Sequence, residues 1–190
     1  MINPIEIVKH YFKLAEKLNL KYPNAAVLCT SRNDEPDGRF ILIKEIKDNG
    51  FVFYTNYNSK KGKDLELNPK ACIVIYWEGL GVQIRIRGKV EKISEEDSVK
   101  YFKTRPKLAQ ISAYISRQSE ELQSYEELLK LFEEYKKIFE NREVEKPKHW
   151  GGYILIPKEV EIWKEGDYRL HQRTLYYLSN GEWKWINLYP

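Results

Sequence analysis

The chain has 190 residues, of which 42% are hydrophobic, 32% charged and 14% aromatic, with a formal net charge of +4. That length can bury one sizeable core, so a single domain over residues 1–190 is expected, and a balance this mildly basic gives no ground for a nucleic-acid partner. No apolar run approaches the roughly 18 residues of a membrane span and MINPIEIVKHYF lacks a signal-peptide core, so no membrane partner is expected.

Residues 4–20 set Ile5, Val8, Phe12, Leu14, Ala15 and Leu18 at helical spacing, an amphipathic helix within an N-terminal segment 1–22 that Pro23 closes. AAVLCTS (25–31) reads as a strand, RNDEPDG as a hairpin-type loop, and RFILIKEI (39–46) and FVFYTN (51–56) as strands joined at Asp48-Asn49-Gly50. Tyr57 to Leu67 reads as a short helix capped by Asn58 or Ser59 and stopped before Pro69. Its N-terminus, with Thr55, Ser59, Lys60 and Lys61, offers a phosphate cradle; an ordinary Lys-rich surface helix would carry the same residues.

ACIVIYW (71–77) reads as a buried strand, and VQIRIRGKVEKI (82–93) as a long one with Gln83, Arg85 and Arg87 on one face and Val82, Ile84 and Ile86 on the other. Cys29 and Cys72 sit in apolar strand-like runs without metal-ligand spacing, so they read as buried free thiols of a cytoplasmic protein, and no metal is expected. A helical insertion at 95–141 follows. Its first helix, 95–104, puts Tyr101 and Arg105 one turn apart on one face before Pro106. A shorter piece runs to 116, and Leu122, Tyr125, Leu128, Leu129, Phe132, Tyr135, Ile138 and Phe139 then mark a long amphipathic helix, its stripe serving the core or a subunit contact.

Residues 150–190 return to strands: HWGGYILI, EVEIW, RTLYYL and, after Asn180-Gly181, EWKWINL. Gly166-Asp167 supplies turn chemistry, and side-chain alternation then puts Arg169, His171 and Arg173 in a row on one strand face, with Trp163 on the partner strand. Two fixed cations, an imidazole and an indole suit an anionic, aromatic ligand, although a solvated cationic strand face would look the same. Six or seven mostly antiparallel strands with four inserted helices give a mainly β, α+β architecture, and a Greek-key barrel is the natural closure because it removes sheet edges.

From about residue 25 to its end the chain resembles the pyridoxamine 5′-phosphate oxidase family of FMN-binding split barrels. The resemblance is carried by RFILIK (39–44), FYTNYNSKKG (53–62), Gln83 ahead of GKVE, KYFKTRP (100–106), ISRQS (115–119), WGGY (150–153) and W-x5-RLHxR (163–173), in colinear order. It implies FMN at the interface of a homodimer. Arg39, Phe40, Ile41, Leu42, Ile43 and Lys44 would line the flavin, partly through their backbone, and Tyr54 and Thr55 would continue that wall. Lys60 and Lys61 would neutralise its phosphate, and Gln83, Gln118, Ser119, Trp163 and Arg173 would complete the site. For substrate, the resemblance implies Lys44, Tyr101 and Arg105 on a phosphate, with Arg169, Leu170 and His171 at the pyridine ring and Arg169 and His171 as the catalytic pair.

The implied reaction is oxidation of pyridoxamine or pyridoxine 5′-phosphate to pyridoxal 5′-phosphate, with O2 as acceptor and H2O2 as product. A sister oxidase acting on another ring, of the phenazine-pathway type, and a flavin-binding barrel without catalysis are the alternatives. Three departures bear on the choice: Lys60 stands where the family usually has Arg, Gln172 where it has Asp, and Ala109 where it has a phosphate-holding Ser. The last removes a hydroxyl worth roughly 0.5–1.5 kcal/mol in a neutral hydrogen bond.

Overall fold

The structure, a computed structural model, describes residues 3–190. The chain opens with helix α1 (Pro4–Ala15), whose cap is the Asn3 side chain accepting from the Ile5 amide, with Pro4 at the first helical position. Its apolar face, Ile5, Val8, Phe12 and Ala15, is buried. The helix stops short of residue 20, because the amides of Lys17 and Leu18 turn to carbonyls three residues back and tighten its end.

Eight antiparallel strands follow: β1 (Ala25–Arg32), β2 (Glu35–Lys47), β3 (Gly50–Asn56), β4 (Lys70–Trp77), β5 (Val82–Lys92), β6 (Trp150–Lys164), β7 (Gln172–Ser179) and β8 (Glu182–Leu188). Helix α2 (Lys60–Leu67) joins β3 to β4, while α3 (Glu95–Thr104), α4 (Lys107–Ile115) and α5 (Tyr125–Ile138) lie between β5 and β6. The sheet order is β3-β2-β1-β4-β5-β6-β7-β8, and a further β3–β6 pairing closes the first six strands into a barrel. Placing β4 beside β1 after the β1-β2-β3 meander is the Greek-key step.

Three local expectations change. Where a loop over RNDEPDG was expected, β1 and β2 are joined by Asn33-Asp34 alone, both at positive φ (51° and 63°), and pairing runs out to Arg32↔Glu35. Asn and Asp tolerate this left-handed turn, which matches the twist of the strands. HWGGYILI and EVEIW form one continuous strand, β6, that passes through Pro157 with a register shift opposite Arg87 and Gly88. The described residues therefore hold eight strands and five α-helices rather than six or seven and four.

Strand alternation fills the barrel. Leu28, Phe51, Phe53, Ile73, Ile75, Ile84, Ile86, Leu155 and Val160 are fully buried in it, each worth about 1.5–3 kcal/mol of transfer free energy. Helix α1 seals one side, its Phe12 ring meeting Trp77 edge-on at 5.0 Å between centroids. A second cluster of Phe102, Ile111, Ala113, Val144 and Trp150 sits under the inserted helices, with Phe132, Tyr135 and Phe139 of the α5 segment against it. No residue of α5 is fully buried, and Tyr125, Leu129 and Ile138 of its stripe stay exposed. Cys29 and Cys72 face each other across β1 and β4 as free, half-buried thiols rather than fully buried ones. Among the described residues no helix is long and apolar enough to cross a membrane.

Candidate active site

The N-terminus of α2 builds the first part of the site. Ser59 caps the helix and accepts from the Gly62 amide, and its hydroxyl in turn donates to the Asn56 carbonyl at 2.7 Å. This anchoring buries Lys61, only 8% exposed, whose ammonium donates to Ser59 Oγ at 3.2 Å and to Gln118 Oε1 at 3.0 Å. Thr55 donates to the same Gln118 oxygen at 3.2 Å. Arg39 is held by the Leu28 carbonyl (3.1 Å), Thr30 Oγ1 (2.8 Å) and Asp37 (2.6 Å), and Asp37 also pairs with Lys60 at 3.0 Å. The Thr30 hydroxyl donates to the buried carboxylate of Asp64 at 2.8 Å.

These groups surround a cavity of about 600 Å³ lined by Arg32, Asp37, Arg39, Phe40, Lys60, Lys61, Lys63, Gln118 and Ser119. Six of the residues anticipated for the cofactor thus converge: Arg39, Phe40, Lys60, Lys61, Gln118 and Ser119. Burial first, and Arg39 second, pull the Lys61 pKa below its ordinary value, while the Lys60 hydrogen bond leads in lowering that of Asp37. Five cations beside one carboxylate in the lining make a cavity that suits a compact, multiply charged anion such as a phosphate ester. Ile41 and Ile43 turn into the core, so only their backbone can face a ligand, whereas Leu42 is half-buried and Phe40 stands exposed.

A second group surrounds Trp150. Tyr54 stacks on Tyr101 at 3.8 Å between centroids and on Trp150 at 5.4 Å, and the Arg105 guanidinium lies 4.9 Å over the Trp150 ring. Arg105 falls just past the end of α3 in extended backbone, so Trp150, and not a shared helix face, brings it beside Tyr101. Its Nη1 is buried with no hydrogen-bond partner among the described residues. A cationic N–H left without an acceptor is costly, and an anion would satisfy it. Burial raises the Tyr101 pKa and, with Glu45 adding, that of Tyr54 to about 12, so both phenols remain hydrogen-bond donors at neutral pH. Lys44 is exposed at the bulge where β2 slips against β3 between Ile43 and Glu45.

The third group lies on the outer face of β4 to β7, where direct pairing sets Tyr76, Gln83, Trp163 and Arg173 in one cross-strand row. The expected row of Arg169, His171 and Arg173 does not form. Asp167–Arg169 makes a 3₁₀ turn with Tyr168 and Arg169 at positive φ, and β7 starts only at Gln172, so Arg169 and the exposed Leu170 ride on a loop. His171 packs its ring 4.5 Å from that of Trp163 and accepts the Gly166 amide at Nδ1 (3.3 Å), which leaves its neutral form protonated at Nε2. Arg169 and His171 line a cavity of about 920 Å³ against Tyr11 and Leu14 of α1. None of its lining residues is shared with the Lys61 cavity.

Sequence reasoning passed over Asp37, Thr30 and Asp64, which hold Arg39, and Glu161, which binds Arg173 at 2.8 Å and Arg85 at 3.3 Å. A signal for Glu161 was present: R-x-R on one strand facing E-x-E on the next pairs Arg85 with Glu161 and Arg87 with Glu159 in register.

The chain is similar to known proteins in sequence and fold. The family described as pyridoxamine 5′-phosphate oxidase matches residues 14–139, and a pyridoxine 5′-phosphate oxidase C-terminal dimerisation region matches residues 150–190. A pyridoxine/pyridoxamine 5′-phosphate oxidase of Nostoc punctiforme is 44% identical over 191 residues, spanning 100% of this chain and 89% of its own. One from Trichormus variabilis is 42% identical over 190 residues, 99% of this chain and 89% of the relative. Among solved structures, PhzG from Burkholderia lata 383, in complex with tetrahydrophenazine-1-carboxylic acid, superposes with a TM-score of 0.94 at 30% identity, covering 99% of this chain and 93% of PhzG. An FMN-binding, pyridoxamine 5′-phosphate oxidase-related protein of Nostoc punctiforme gives 0.81 at 17% identity over 100% and 98% of the two chains, a likeness of fold alone.

Proposed function

Because the chain belongs to the pyridoxamine 5′-phosphate oxidase family, we propose that it oxidises pyridoxamine 5′-phosphate, pyridoxine 5′-phosphate or both to pyridoxal 5′-phosphate, with O2 as acceptor and H2O2 as product. FMN is its cofactor and supplies the two-electron chemistry. The cationic cavity at α2 fits the FMN phosphate: Lys60 and Lys61 neutralise it, Arg39 adds a fixed charge, and Gln118 and Ser119 close the rim. Phe40 and the backbone of residues 41–44, with Tyr54 and Thr55, form the wall along the ring.

The site is completed in a homodimer, with Gln83, Trp163 and Arg173 reaching the flavin of the partner subunit. The match to a dimerisation region over 150–190 supports this. Lys44, Tyr101 and Arg105 hold the substrate phosphate. Arg169, Leu170 and His171 close over the pyridine ring, where Arg169 offers a fixed charge and His171 a proton at Nε2. A cytoplasmic setting suits the two unbridged cysteines.

The observation that carries this reading is Arg105, a buried guanidinium nitrogen without a protein acceptor, set beside a phenol that stays protonated. It calls for an anionic substrate group. The likeness to PhzG and the alanine at 109 favour a second reading, a phenazine-type oxidase with an unphosphorylated ring substrate. One experiment separates them. Pyridoxamine 5′-phosphate added without air to the FMN-loaded protein should bleach the flavin absorbance, and air should restore it with pyridoxal 5′-phosphate formed. A flavin that stays yellow with both phosphorylated vitamers rejects the first reading.

A further inference from the structure

We infer that Glu161 is a positioning residue, fixing the guanidinium of Arg173 in the orientation that meets the flavin; the inference rests on the placement of Arg173 in the FMN site. Glu161 is a strand residue of β6 with 4% of its surface exposed, and its two carboxylate oxygens are divided between two arginines. Oε1 accepts from Arg173 Nε at 2.8 Å, and Oε2 lies 3.3 Å from Arg85 Nη2. Arg173 is gripped from the other side as well, because its Nη1 donates to the Tyr189 carbonyl at 3.0 Å. With Nε and Nη1 both held, the plane of the guanidinium is set and the Nη2 hydrogens remain for a ligand.

The strand register explains why the clamp is rigid. Glu161 sits directly across from Arg85 on β5, while Arg173 sits across from Trp163, two positions along β6 on the same face. Glu161, Trp163 and Arg173 therefore share one surface, and the carboxylate reaches its arginine along the diagonal. One buried carboxylate between two arginines leaves that surface with surplus positive charge. Arg173 also has its pKa raised by the Glu161 hydrogen bond, so it stays charged throughout.

FMN titrations of the apo-protein, read by flavin fluorescence, test this with wild type, Glu161→Gln, Arg173→Ala and the double variant. Loss of the Arg173 contact should weaken FMN binding by about 10- to 100-fold and loss of its orientation by about 3- to 10-fold. If Glu161 acts through Arg173, the double variant binds FMN no more weakly than Arg173→Ala alone. Equal weakening by Glu161→Gln in both backgrounds overturns the inference, because a general structural role adds independently. So does an unchanged Kd in Glu161→Gln while Arg173→Ala weakens binding. An unchanged Kd in Arg173→Ala instead removes Arg173 from the flavin site, and the inference falls with it. Should Glu161→Gln not fold, Glu161→Asp, which keeps the charge but withdraws it by one methylene, replaces it with the same pattern expected.

Discussion

Lys61 and Gln118, 57 positions apart in the chain, meet in a 3.0 Å hydrogen bond that ties the N-terminus of α2 to the segment between α4 and α5. The same amide oxygen accepts from Thr55, so one side chain from the helical insertion caps the cationic cavity.

That cavity sets a pH profile for FMN binding. Affinity should rise with pH as the phosphate loses its second proton near ~6. It should fall again on the alkaline side, because burial lowers the Lys61 pKa from 10.5 and the ammonium is lost earlier than in a free lysine. In the empty protein the unfolded lysine binds its proton more tightly than the folded one. Stability therefore gains with rising pH across the interval between the lowered value and 10.5. FMN titrations across this range should show a smaller alkaline limb, beginning at higher pH, in Lys61→Met than in wild type, since Lys60 and Lys63 still line the cavity.

Arg105→Met should separate binding from stability. The buried Nη1 has no protein partner, so removing it takes away a desolvation cost along with a cation–π contact to Trp150. Thermal melts should move little, while KM for pyridoxamine 5′-phosphate should rise about 10- to 100-fold through loss of a charge-assisted phosphate bond. Bound flavin should be unchanged. A KM that does not move would remove Arg105 from the substrate phosphate.

Gly62→Ala should damage both fold and cofactor site. A Cβ there would run into the Tyr57 carbonyl, which is backbone and cannot rotate away. The first turn of α2 would have to shift, at a cost of about 1–3 kcal/mol. The variant should melt several degrees lower and lose FMN on dialysis, whereas Gly181→Ala, with no atom within 4 Å of its Cβ, should keep its flavin.

Thr30→Val should act at a distance from the cavity. The hydroxyl accepts from Arg39 Nη1 and donates to Asp64, which is 2% exposed, so an isosteric valine leaves both without that partner. A loss of about 1–3 kcal/mol is expected. Denaturant unfolding should report it, together with weaker FMN binding as Arg39 is freed.

Much of this was legible in the sequence because strands write their burial in a period of two. Val82, Ile84 and Ile86 are buried as their alternation with Gln83, Arg85 and Arg87 requires. The helix before Pro69 and a cap at Asn58 or Ser59 were legible for a local reason as well, and the structure takes Ser59, which meets the Gly62 amide within one turn, with the helix starting at Lys60. What could not be read was set by partners far along the chain. Pro36, Asp37 and Gly38 look like turn residues, yet they extend β2 where it pairs with β1 alone, and an edge stretch tolerates proline. Tyr168 and Arg169 carry no local mark of a left-handed backbone, so the late start of β7 was hidden. Glu161 shows itself only when R-x-R on β5 is matched with E-x-E on β6, a pairing that strand register makes and that sets it between two arginines.

The pairing of β3 with the first half of β6 has a consequence for the order of assembly. Phe51 meets Leu155 across that seam, and all three inserted helices lie between β5 and β6 in the chain. Closing it confines a loop of about a hundred residues, an entropic cost that local meander contacts do not carry and that slows such events. Gln118 reaches the cationic cavity from that same long excursion, so tight retention of the cofactor reports that the excursion has docked against α2.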